Sequence, residues 1–210
     1  AEAATILGKS SKPFEDVALT FIDKGENDAL RKYLLTKLSG FPKNYIMQRT
    51  MLTSWLIELY MSKLNQLDDT ISTKAELAEG STASDMQKQL PVFRREFQEF
   101  VTRYKSDLDT KTTYEIISSH GREEELLHFA NVVEDYNFVL SYWVQRERWT
   151  EAMAVLKRQT EPEMFYKYST VLMSHVSVDL IEVMMRQTSL EPKNIIPALL
   201  NYNKTTGTTV

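Results

Sequence analysis

Apolar residues recur along this chain at i, i+3, i+4 and i+7, the spacing of one face of a helix. Residues 121 to 160 carry it most cleanly. Three quartets follow one another there: Leu126, Phe129, Ala130 and Val133; Tyr136, Val139, Leu140 and Trp143; Trp149, Ala152, Met153 and Leu156. The gaps between them leave room only for tight helix-to-helix turns. A helix this short is marginal alone and must share its stripe with a neighbour. The pattern predicts short helices stacked in pairs into a rod.

The same spacing extends in both directions. Ser10-Ser11-Lys12-Pro13 reads as a turn before a helix carrying Phe14, Val17, Ala18 and Phe21, closed by Gly25. Asn27 or Asp28 suits the N-cap of the next, whose face is Leu30, Tyr33, Leu34 and Leu38 and whose end is Gly40. A long helix is predicted over 44–64, about 30 Å in length. Leu52, Trp55, Leu56 and Leu59 form its stripe, and Met47, Met51, Ile57, Tyr60 and Met61 widen it. A surface this broad implies cover on two sides.

Residues 65–88 are rich in Ser, Thr, Asp and Glu, and read as a polar surface insertion with a short helix at Ser72 to Glu79. Pro91 is placed in the first turn of a helix bearing Phe93, Phe97, Phe100, Val101 and Tyr104. A shorter helix, Thr110 to Ser119, stops at Gly121. After the three quartets, Pro162 opens a helix through Phe165 and Tyr168. A kink is expected near Ser169, with Leu172 and Val176 beyond it. Ser177 or Asp179 starts the next, with Leu180, Val183 and Met184 inward. Pro192 opens the last, through Ile195, Ile196, Leu199 and Leu200, and Pro197 should bend it. A hairpin period of roughly 25 to 35 residues lies in the α-solenoid range. The reading is all-α: residues 1–210 form one α-solenoid segment of a longer protein, and 203–210 a disordered tail.

Composition narrows the function. With 6 Gly and 6 Pro in 210 residues, a turn-dense β fold is disfavoured. A net charge of −4 argues against a broad nucleic-acid surface. No cysteine is present, so disulfides and thiolate metal sites are excluded within these residues. No run reaches the roughly twenty apolar residues that cross a bilayer.

The search for chemistry finds little. Three histidines occur, His120, His128 and His175, and no HExxH or Cys/His cluster. Glu124 and His128 suit an exposed i, i+4 pair. Glu123, Glu124 and Glu125 open a helix, where the dipole favours acidic groups. No phosphate loop, nucleophile elbow or Ser/His/Asp grouping is found. No catalytic, cofactor-binding or metal-ligating residues are therefore expected, and no small-molecule substrate. Arg94, Arg95, Arg103 and Lys105 interleave with Phe97, Phe100 and Tyr104. The reading preferred is a core face backed by a solvated face; contact with anionic lipid or an acidic partner is the other. Arg146, Arg148, Lys157 and Arg158 lie near helix ends and read as structural. Trp55, Trp143 and Trp149 read as core.

A resemblance goes further. His120-Gly121, Phe129-Ala130, Asp135-Tyr136, Glu151-Ala152, Val155-Leu156 and above all Phe165-Tyr166-Lys167-Tyr168-Ser169 resemble the clathrin-heavy-chain-type repeat region of the vacuolar protein sorting-associated protein 18 family. Ile196-Pro197-Ala198-Leu199-Leu200-Asn201-Tyr202 extends the likeness, as do Ala29-Leu30-Arg31, Leu34, Lys37-Leu38, Thr53, Trp55-Leu56 and Glu58-Leu59-Tyr60 upstream. It is weakest over 65–110. The resemblance implies an α-solenoid scaffold in the HOPS and CORVET tethers, which dock endosomal, lysosomal or vacuolar membranes before fusion. It implies other class C vacuolar protein sorting subunits as partners, no nucleic acid, and a peripheral, indirect place on the cytoplasmic face of late endosome, lysosome or vacuole membranes. The family's β-propeller and zinc-binding RING are not represented in these residues, so no ubiquitin-ligase role carries over. A helical coat or pore scaffold, clathrin-like or nucleoporin-like, and more remotely an all-α enzyme, remain the alternatives.

Overall fold

The structure, a computed structural model, describes residues 4, 6–7, 14–76 and 80–206. From Phe14 onward these form ten α-helices and a 3-10 turn, with no strand among the described residues. The helices are α1 (Phe14–Asp23), α2 (Asn27–Gly40), α3 (Ile46–Glu76), α4 (Gly80–Arg103), α5 (Thr110–Ser119), α6 (Glu123–Val132), α7 (Tyr136–Gln145), α8 (Trp149–Leu156), α9 (Pro162–Met185) and α10 (Pro192–Thr206). The 3-10 turn, Lys105–Asp107, follows α4. They divide into two compact units, Ala1–Val133 and Glu134–Val210.

In the first unit α3 is the shared element. It packs against α2, α4, α5 and the 3-10 turn, as its wide apolar surface requires. Leu52, Leu56, Ile57, Tyr60, Met61 and Leu64 are buried along it, opposite Tyr33, Leu34, Phe97 and Val101. Met47 and Met51, which the pattern adds to that surface, point to solvent. In the second unit α8, α9 and α10 pack in sequence after α7. Its core holds Leu140, Met153, Leu156, Phe165, Tyr168, Leu172 and Leu180.

One corner recurs. Gly25, Gly121 and Glu147 adopt left-handed φ values of 66°, 68° and 55°. At each, the next residue's N–H reaches back five positions: Glu26 to Phe21 O (2.9 Å), Arg122 to Ile117 O (3.4 Å), Arg148 to Trp143 O (2.9 Å). This double-bonded helix ending satisfies carbonyls that would otherwise be orphaned. Glu134 is left-handed too, at 63°. Gly25 and Gly121 sit where the sequence places helix ends; the two glutamates carry no such signal.

Several expectations change. Residues 65–76 do not leave α3 as a separate segment but continue it, giving 31 residues and a length of about 46 Å. Leu64 and Leu67 keep the buried face going. The hydroxyls of Thr70, Ser72 and Thr73 fold back onto carbonyls four residues earlier, at 2.6–2.9 Å. Residues 77–79, the end of the expected short helix, lie outside the described residues, as does the turn at 10–13. α4 starts at Gly80, so Pro91 lies inside it. The break in α9 falls at Val176 (φ −136°, ψ 47°) rather than at Ser169, which is buried in regular helix with its hydroxyl on Tyr166 O. The N-cap of α2 is Glu26, not Asn27 or Asp28. Residues 203–206 of the expected tail belong to α10, and 207–210 lie outside the described residues.

Pro91 is exposed and removes the N–H that would bond the Gln87 carbonyl. Pro91→Ala should therefore stabilise the protein by about 1–3 kcal/mol, read as a higher urea midpoint. An unchanged midpoint would mean that α4 begins at the proline.

Candidate functional site

Several of the polar side chains that sequence reading offered for chemistry are found joining helices. The largest cluster is centred on Glu125, in the first turn of α6 and 3% exposed. Arg94 of α4 donates to its Oε1 from Nε at 2.8 Å. Arg122 donates from Nε to Oε2 at 3.1 Å and from Nη2 to Oε1 at 3.2 Å. Arg122 also pairs with Asp68, far along α3, and Arg94 with Glu124 at 2.7 Å. Burial alone lowers the Arg122 guanidinium, but Glu125 and Asp68 outweigh it and hold it above its usual value. Glu125 thus ties α4 to α6, and Arg122 carries the link on to α3. The dipole argument explains Glu123 and Glu124, which are exposed, and misses Glu125.

Two further joints are built the same way. Arg49 of α3 is buried and clamps Asp107 with Nε and Nη2, both at 2.7 Å. Its Nη1 donates to Leu38 O (3.0 Å) and Phe41 O (2.8 Å), where α2 ends. Hydrogen bonding from Arg49 holds the Asp107 carboxyl below the usual carboxylate range. Arg31 of α2 pairs with Glu96 of α4 and lies over the rings of Tyr60 and Phe93, at 5.1 and 4.7 Å.

The histidines are structural as well. His120 bonds Glu58 through Nε2 (2.9 Å) and Asn65 through Nδ1 (3.2 Å), fastening the α5–α6 corner to α3. His175 stacks on Trp149 at 4.0 Å between ring centroids. The expected Glu124–His128 pair does not form. Glu124 turns to Arg94, and His128 is half-buried against the Gln98 backbone of α4. Burial pushes the His128 imidazole below its usual pKa of 6.5. The unfolded chain then binds a proton at pH values where the folded protein does not. His128 contributes stability above about pH 6.5 that is lost as pH falls through its folded value. His128→Gln should flatten the fall of the urea midpoint between pH 7 and 5; an unchanged slope would exclude His128 as its source.

Of the basic residues between the aromatics, Arg94 is engaged by α6, Arg95 is exposed and Arg103 lies over the Tyr104 ring at 5.5 Å. Lys105 stands in the 3-10 turn. Phe93, Phe97, Phe100, Val101 and Tyr104 are buried, as a core face should be. Arg146 caps the end of α7 over Tyr142, and Lys157 the end of α8. Arg158 follows that cap, but Arg148 sits before α8 and pairs with Glu151. The tryptophans are half-buried at the edges of the cores rather than inside them. Among the described residues no three His, Asp or Glu side chains converge as a metal site, and no helix is long and apolar enough to cross a membrane.

What the surface offers is apolar. In the first unit Tyr45, Ile46, Met47 and Met51 are 44–82% exposed at the start of α3. In the second, a cleft of about 310 Å³ between α9 and α10 is lined by Met173, Ile181, Met184, Met185, Leu190, Ile195 and Leu199. Such patches suit protein contacts rather than chemistry.

Comparison with known proteins agrees with this division. Residues 1–135 match a family model described as VPS18, alpha-solenoid domain, first half; residues 136–209 match its second half. The chain belongs to the VPS18 family. Its fold is that family's α-solenoid, and the boundary between the halves falls within two residues of the boundary between the two units. Among relatives, the chain is 34% identical over 202 residues to vacuolar membrane protein pep3 of Schizosaccharomyces pombe, covering 96% of the chain and 22% of that protein. It is 31% identical over 208 residues to the vacuolar protein sorting-associated protein 18 homolog of Danio rerio, covering 97% and 20%. It is 34% identical over 191 residues to vacuolar sorting protein 18 of Arabidopsis thaliana, covering 90% and 18%. The chain thus spans about a fifth of the length of these VPS18 relatives.

The stretch that carries the resemblance most strongly has a packing role. In Phe165-Tyr166-Lys167-Tyr168-Ser169, Phe165 is fully buried. The Tyr166 hydroxyl accepts from the Glu191 N–H at 2.8 Å, ahead of α10. Lys167 donates to Asn137 Oδ1 (2.7 Å), and the Tyr168 hydroxyl donates to Asn137 O (2.9 Å) and meets Ser141. Tyr166, Lys167 and Tyr168 therefore fasten α9 to α7 and to the residue before α10, while Phe165 fills the core.

Proposed function

We propose that this segment is a scaffold of a membrane-tethering assembly of the HOPS and CORVET type, which docks endosomal with lysosomal or vacuolar membranes before fusion. The family match across both halves carries the reading. The placement of polar groups supports it: Glu125, Arg49, Arg31 and Tyr168 serve to lock helix to helix. A segment built this way transmits position and load through its fold and does no catalysis. Its partners on this reading are other class C vacuolar sorting subunits. It acts on the cytoplasmic face of late endosome, lysosome or vacuole membranes, held there through those subunits; the relatives' names speak of the vacuole and of vacuolar sorting.

Purification of the tagged full-length protein tests this. The other class C subunits should copurify in fixed ratio. Recovery of coat or nuclear-pore proteins in their place would favour the clathrin-like or nucleoporin-like alternative and overturn the tethering role.

A further inference from the structure

The two ends of α9 lie side by side. Gln187, just past its end, donates from Nε2 to Gln159 O, ahead of its start, at 3.3 Å. A straight helix of 24 residues would hold those ends about 36 Å apart. The break at Val176 therefore turns the chain back on itself, and the stretches 162–175 and 177–185 run antiparallel. The Trp149–His175 stack pins the turn to the start of α8.

The second unit is thus a series of helical hairpins, α7 with α8 and then the two stretches of α9. The second hairpin closes on the first. Leu180 and Met184 of its returning stretch share one core with Met153 and Leu156 of α8 and with Phe165 and Leu172 of its outgoing stretch. The returning stretch therefore lies against its own partner and against the returning helix of the hairpin before it. α10 stands where a third hairpin would open. Ala198 is buried, Ile195 joins the core, and the Glu191 N–H ahead of α10 is held by the Tyr166 hydroxyl. Its adjoining face is bare: Ile196, Leu199 and Leu200 are exposed, at helical spacing. The returning stretch of α9 is bare on the same side, with Ile181 and Met185 meeting Leu199 in the cleft of about 310 Å³. This cleft has the place, one repeat on, that 177–185 itself fills between 162–175 and α8.

We propose that the cleft is filled by a further helix of the same polypeptide, antiparallel to α10, which completes a third hairpin. The lining selects that occupant. Gln187 is its one polar side chain and it carries no charge, so it has the character of a core cut in half rather than of a transient interface with a polar rim. The VPS18 relatives match this chain over only 18–22% of their own length, so chain beyond the shared stretch exists in them to supply the helix. Its stripe should be apolar at i, i+3, i+4 and i+7, with no charged residue facing Met185 or Leu199. This covering is independent of which assembly the protein joins.

A photo-crosslinking amino acid in place of Met185 of the full-length protein tests it, with exposed Glu163 replaced as control. Mixing heavy-isotope-labelled and unlabelled chains separates links within one chain from links between copies. The expected result is a dominant link within one chain from position 185, absent from position 163, to a segment that begins within about 15 residues after Thr206. Leu199→Asp should speed amide exchange of that segment about tenfold and leave α7 unchanged. A dominant link to a second copy, to another protein or to lipid would overturn the proposal, as would no link, or protection of the segment that Leu199→Asp leaves intact. If the link forms while class C subunits fail to copurify, the covering stands and the tethering role falls; copurification without the link gives the converse.

Discussion

Glu125→Ala is expected to destabilise the first unit by about 3–5 kcal/mol. The carboxylate is nearly sealed from solvent, and its removal leaves Arg122 and Arg94 facing one another across the space it filled. Arg122 is 9% exposed and, among the described residues, keeps Asp68 and Asn65. The loss arises from stranded charge rather than from the value of the pair itself. Combining Glu125→Leu with Arg122→Met should therefore recover much of it, because an apolar replacement of matched volume removes the desolvation cost on both sides. Glu124→Ala, one residue away, should cost no more than about 1 kcal/mol, since its carboxylate is 70% exposed. Urea denaturation followed by circular dichroism checks all three. Equal losses at 124 and 125 would contradict the placement of the buried carboxylate.

In the second unit, Phe165→Ala should cost about 3–5 kcal/mol. Phe165 is fully buried among Leu140, Leu156, Met173 and their neighbours, and its ring fills the layer between α8 and α9. Tyr168→Phe keeps the ring and loses the hydroxyl that joins Asn137 and Ser141, so about 0.5–1.5 kcal/mol is expected. Hydrogen exchange localises the effect. Amides of α7 to α10 should exchange faster in Phe165→Ala. If protection there is unchanged, Phe165 does not hold this core.

How far the chain could be read from its pattern depends on whether burial left an apolar trace. The quartets from Leu126 to Leu156 locate α6, α7 and α8, because short helices bury little beyond one stripe. Gly25 and Gly121 mark corners, since glycine takes a left-handed φ without steric cost. Glu134 and Glu147 adopt the same conformation and are invisible, because nothing in a glutamate announces it. Glu125 resembles its two exposed neighbours, and only Arg94 brought to it by α4, with Arg122 held between it and Asp68 of α3, makes it a joint. Residues 65–76 read as surface because their side chains are polar; those side chains bond their own helix, Arg122 and His120 instead. The tryptophans look like core by type and lie at its margin. Met47 and Met51 look like core by pattern and are bare, which pattern alone has no means of showing.

On the proposed scaffold role, what these helices supply is their packing. Recovery of partner subunits with full-length protein carrying Glu125→Ala, set against Glu124→Ala, tests it most directly. On that role Glu124→Ala should retain the class C subunits, whereas Glu125→Ala should loosen the first unit by hydrogen exchange and lose them. Full retention by a Glu125→Ala protein whose first unit is demonstrably loosened would contradict it.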